Sequence, residues 1–166
     1  MKIEPIVKMS RFAELRAGDL FISFEYGAAC LAMKGVYPEM DSDAIILLLG
    51  PQLPTEMGKG PRVIGERRSS VVALGNDFVL HLPVCPEGWT NQPPPSDVAC
   101  VIMLDDKAYI RANSGTRPGE VQMCWVEAST GVLRYGLPRG DAAYAVDWKI
   151  VIESPLVSEH LVFRAS

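Results

Sequence analysis

The chain holds only two histidines, His81 and His160, and no spacing by which histidine, cysteine and acid build a zinc site. Its four cysteines, Cys30, Cys85, Cys100 and Cys124, lie no closer than 15 residues apart, so no Cys-x-x-Cys pair exists for metal or redox chemistry. No metal and no cofactor is expected. Long apolar runs are missing too. Runs such as residues 44–49 are far below the roughly 20 residues that a bilayer-spanning helix needs. Glu4 and Pro5 interrupt the place where a signal peptide carries its apolar stretch, so a cytoplasmic protein without membrane contact is expected. Gly-x-Ser-x-Gly, His-Glu-x-x-His and the dinucleotide glycine fingerprint are absent, which leans the reading away from an enzyme. A basic surplus is lacking as well. The formal net charge of −4 argues against a general nucleic-acid binder, which needs cations to neutralise phosphates.

What is there is a globular balance: 166 residues, 48% hydrophobic and 22% charged, enough to bury a core without disulfides. The mean hydropathy is slightly positive, which leaves apolar surface for a protein partner or a homo-oligomer. Cys30, Cys100 and Cys124 sit inside apolar strand patterns and read as buried thiols acting as small hydrophobes.

One helical signal stands out, a short turn over residues 10–17 that Gly18 ends. The rest reads as strands. Residues 20–24 and 28–34 flank a turn at Glu25-Tyr26-Gly27, and 44–49 suits a central strand covered on both faces. Gly75-Asn76 between residues 71–74 and 77–82 predicts a tight hairpin. Residues 99–104 and 107–111 flank Asp105-Asp106, and 121–127 and 132–137 flank residues 128–131, giving two further hairpins. Residues 144–152 alternate with period two and read as one strand. About ten strands joined by hairpins imply an all-β, antiparallel barrel or sandwich. The expectation is a single compact β domain over residues 1–166, with an internal boundary open at the proline-rich segment 83–96. That segment divides the strands five and five. An echo between residues 29–33 (Ala-Cys-Leu-Ala-Met) and 99–103 (Ala-Cys-Val-Ile-Met) hints at duplication of a five-stranded unit.

Phe12, Leu15, Gly18, Asp19, Leu20 and Phe21 form an F-x-x-L-x-x-G-D-L-F opening. It resembles the start of small SH3-like barrel domains, where a turn delivers the chain into the first strand. The resemblance implies barrels, two SH3-like units at this length, and no particular activity.

Candidate sites are few. Asp77, His81 and Cys85 recur every four residues, so on an unbroken strand they share a face; a Cys-His pair oriented by an acid is how a thiolate is activated. Residues four apart on a strand stand roughly 13 Å apart, so Pro83 would have to bend the chain to bring them together. A ligand pocket lined by His81, Cys85 and Asp106 is the alternative reading of the chain, as a small β-barrel enzyme or ligand binder. Lys59, Arg62, Arg67 and Arg68 form the one basic cluster, a candidate anion site among glycines. The leading expectation is a non-catalytic β module that works through protein contacts or self-association, with Tyr26, Trp89 or Trp125 as aromatic anchors.

Overall fold

Asp105 and Asp106 both take positive φ, 49° and 60°, the geometry of a two-residue hairpin turn whose twist matches the strands it joins. Around them β9 (Val101–Leu104) pairs with β10 (Lys107–Ser114), as their sequence predicts. The structure, a computed structural model, describes residues 8–25, 27–49, 60–65, 70–76, 78–95, 98–114, 122–136, 142–154 and 157–164, the side chains of 49, 152–154 and 157–164 excepted. The chain is all-β, and among the described residues its strands pair antiparallel with one exception.

In the first half, β1 (Lys8–Arg11) leads through a 3-10 turn at Phe12–Glu14 into β2 (Leu20–Glu25). That turn ends at Leu15, and Gly18, at φ +92°, sits in a second turn in which Asp19 N–H donates to Arg16 O at 3.0 Å. A meander follows: β3 (Ala28–Tyr37), β4 (Ser42–Leu49) and β5 (Arg62–Gly65). β6 (Ser70–Gly75) returns to β2 and also pairs with β1. Along the sheet the order is β1-β6-β2-β3-β4-β5.

The second half repeats this order. β8 (Trp89–Thr90) precedes β9 and β10, which continue into β11 (Gln122–Glu127) and β12 (Leu133–Arg134). β13 (Tyr144–Ala145) returns to β9 and pairs with β8. The order β8-β13-β9-β10-β11-β12 matches the first set strand for strand. The 29–33/99–103 echo does not mark this repeat, because the first segment is in β3 and the second runs into β9, which corresponds to β2.

The two modules contact each other reciprocally. The fourth meander strand of the first, β5, runs parallel to β10 of the second through Arg62–Asn113 and Val63–Ser114. In return, Val132 beside β12 bridges in parallel to Val36 of β3, where Val36 N–H donates to Gly131 O at 3.0 Å. The closing strands then meet: β7 (Phe78–His81) and β14 (Lys149–Ser154) pair antiparallel, and β15 (Val157–Arg164) adds to β14. This is the pattern of a two-fold pair written into one chain. The large sheet does not close into a barrel, since its path ends on β1 and β8.

Two sequence expectations change here. The Gly75-Asn76 turn exists, with Gly75 at φ +82°, yet it does not make a hairpin, because β6 stays with β2 while β7 leaves for β14. The strand expected over residues 144–152 is split into β13 and β14. Trp148 between them is buried at 1% exposure in the core shared by the modules, so the chain changes sheets there.

Three apolar clusters follow from the layout. Phe12, Leu15, Phe21, Ala32, Ile45 and Val71 fill the first module. Cys100, Ile102, Tyr109 and Trp125 fill the second. The largest cluster lies between them and draws on corresponding positions, Leu31 with Ile110 and Ile46 with Cys124.

Candidate functional site

His81 ends β7 because Pro83 cannot extend the ladder. The chain then turns away from the sheet. Pro86 opens a 3-10 turn at Pro86–Gly88, and Gly88 N–H donates to Cys85 O at 3.1 Å. Trp89 Nε1 donates to Pro83 O at 2.8 Å, and Gly88 lies against the Pro83 ring so closely that an added Cβ would sit 2.3 Å from Pro83 Cβ. This folded loop walls a hollow of about 700 Å³ whose floor is β7 and β14. His81, Cys85, Glu87, Asp147, Lys149 and Val151 line it. Lys149 stands directly opposite His81 in the strand register, which places both side chains on one face of the sheet. The structure thus brings His81 and Cys85 to one hollow.

Asp106 is elsewhere. It lines a separate hollow of about 320 Å³ with Phe78 and Leu80, which alternate with His81 along β7 and so face the other side of that sheet. Asp77, the third member of the expected line, is outside the described residues, as are Lys59, Arg67 and Arg68 of the basic cluster. Arg62 lies in β5 and is buried at 6% exposure. His160 lies in β15, opposite Ile152, with its side chain outside the description. Of the expected aromatic anchors, Trp125 is buried beside Tyr144 in the second module, Trp89 is half-buried and Tyr26 is not described.

Burial pushes the Cys100 thiol up to about 11, against the pull of the Arg111 charge, and the Cys124 thiol up to about 12. Burial also raises Cys30. These three thiols are held neutral and are poor nucleophiles, as buried cysteines are. Among the described residues no cluster of three His, Cys, Asp or Glu side chains is placed to hold a metal. No helix among them is long and apolar enough to cross a membrane.

Two buried cations escaped the sequence reading. Lys34 in β3 pairs with Asp43 at 2.8 Å, lies 5.0 Å from the centre of the Phe12 ring and donates to Phe12 O at 3.5 Å. Arg111 in β10 donates through Nη1 to Pro94 O at 2.8 Å and through Nη2 to Pro95 O and Val98 O. Each cation therefore ties down the connector that enters its own module's first meander strand. For Lys34 the available signal is a lone cation in an otherwise apolar strand; β10 also carries Lys107, so Arg111 has no such mark. A third hollow, about 540 Å³, opens where the modules meet at Tyr37 and Tyr135, whose rings stack 6.0 Å apart. Burial raises the Tyr37 phenol.

Large apolar side chains stay open at corresponding places. Phe24 in β2 is 68% exposed opposite Ala29, and Met103 in β9 is 41% exposed opposite Ala108. No family model, curated protein or solved structure matches the chain.

Proposed function

We propose that the chain is a non-catalytic β module that works through protein contacts, self-association included. The observation that carries this reading is the open apolar pair Phe24 and Met103, repeated at equivalent positions on two strand faces. Their recurrence at one position of both modules is what supports a contact role, since open apolar surface is what a partner covers. The repeated strand order, with a fifth strand returning to the first of a meander, supports the SH3-like reading of each module. Four free thiols fit a reducing, cytoplasmic setting. Sedimentation equilibrium over a wide concentration range tests the reading. The expected result is a mass rising above that of one chain; a single-chain mass throughout counts against self-association.

A second reading, a small-ligand binder, is favoured by one observation: His81, Cys85 and Lys149 share a hollow of about 700 Å³. Thermal unfolding against a panel of organic acids, nucleotides and sugars tests it. A ligand at a hundred times its dissociation constant adds about 2.7 kcal/mol, and His81→Ala should remove that gain.

A further inference from the structure

The two modules close differently. β7 and β14 are equivalent last strands, paired with each other. β14 carries a second neighbour, β15, whereas β7 ends its sheet and has no second neighbour among the described residues. The directly opposed valines show the effect: Val151 is 1% exposed and Val79 is 37% exposed. On the other face, Ile150 is fully buried while its partner Leu80, and Phe78 beside it, are half-buried. The first module supplies no return strand of its own, because Pro83 and Pro86 follow β7 and the chain runs on to β8.

Edge strands are commonly blunted by charge or proline. β1 has Lys8 and Arg11, and β15 has Glu159 and Arg164. Phe78-Val79-Leu80-His81 has no Lys, Arg, Asp, Glu or Pro.

We propose that the free edge of β7 pairs with the β7 edge of a second copy, antiparallel across a two-fold axis. The two three-stranded sheets become one, in the order β15-β14-β7-β7-β14-β15. This rests on the self-association reading above and gives it a surface. Three observations select a second copy as the occupant. An uncharged strand meets itself with no like charges opposed. Closing strands of this fold already pair antiparallel with their equivalents, as β7 does with β14. Joining β7 to the partner's β15 instead would be a heterologous contact that extends rather than closes.

The test is sedimentation velocity of the full chain and of Val79→Lys, with amide hydrogen exchange of the unmodified chain at low and high concentration. The proposal expects a wild-type dimer, a dissociation constant raised roughly tenfold or more by opposed lysines, and slower exchange at residues 78–81 as concentration rises. Val79→Thr, which keeps β-branching and adds no charge, stays dimeric. Circular dichroism establishes that Val79→Lys is folded; if it is not, the exchange measurement decides. A monomeric wild type overturns the proposal and the self-association reading together. A dimer that Val79→Lys leaves intact, or exchange at 78–81 independent of concentration, overturns the β7 edge alone.

Discussion

The first module holds its entry connector with a lysine and the second holds its own with an arginine, and the difference follows from what each must grip. Lys34 serves one carbonyl, one ring and the partly exposed Asp43. Arg111 serves three carbonyls of a proline-rich segment that carries few N–H groups of its own to organise it. A planar fork with five donors fits three diverging oxygens where a point charge does not. Two copies of one strand plan thus keep a buried cation in the same strand of the plan and differ in its chemistry.

The strongest way to break that comparison is to remove each cation. Arg111→Met should cost about 3 kcal/mol or more in urea unfolding, because buried carbonyls lose charged partners. Lys34→Met should cost less, about 2 kcal/mol, because Asp43 can turn to water. Equal losses would mean that the two connectors do not differ in their dependence. Next is the join between modules. A Cβ at Gly131 would lie 2.3 Å from Lys34 O and 2.5 Å from Gly18 N, at φ +66°. Gly131→Ala should therefore cost more than about 2 kcal/mol. Gly75→Ala, at φ +82° in open space, should cost about 1 kcal/mol. A reversed order would show that the reciprocal contact at Val36 is dispensable.

Alkaline pH sharpens the comparison of the cores. Cys100 and Cys124 of the second module are raised from 9.0 to about 11 and about 12 in the folded chain. The folded state then binds more protons than the unfolded state above pH 9, so stability is full below that pH and falls as pH rises towards 11 or 12. The fall is up to about 1.4 kcal/mol per pH unit for each thiol. Urea midpoints between neutral pH and pH 10 check this, and Cys124→Ala should flatten the slope; an unchanged slope would remove Cys124 as a cause. The smallest effects belong to the open apolar pair. Phe24→Ser and Met103→Ser should each change stability by less than about 0.5 kcal/mol. A large loss at either one would mean that it is a core residue of its module.

Most of the longer strands and most turn types were legible because they rest on local chemistry; β1, β5 and β8, of two to four residues, were too short to show a pattern, and the turn expected over residues 10–17 is a 3-10 turn of three residues. Asp105-Asp106, Gly27 and Gly131 declare their turns through residues that tolerate positive φ, as two aspartates and two glycines do here. Pairing partners were not legible. Nothing within residues 78–81 says that their ladder is with 149–152, and the Gly75-Asn76 signal names only the turn, not where the next strand goes. The repeated strand order was not legible: the five-and-five count misses strands in both halves and the echo falls on non-equivalent strands, since the repeat lives in topology rather than in residue identity. For the site, Pro83 marked where the chain leaves β7, but not that Cys85 would line the same hollow as His81. Lys149 joined them only through a strand register that no local pattern encodes.

The pairing of β7 with β14 also sets a schedule for synthesis. His81 leaves the ribosome with its ladder unfinished, and its partners, ending at Ile152, follow 71 residues later. At translation rates of about 5–20 residues per second, that wait is roughly 4 to 14 s. For that interval the nascent first half presents Phe78, Val79 and Leu80 without their β14 partner, the moment at which a neighbouring chain on the same messenger competes for them.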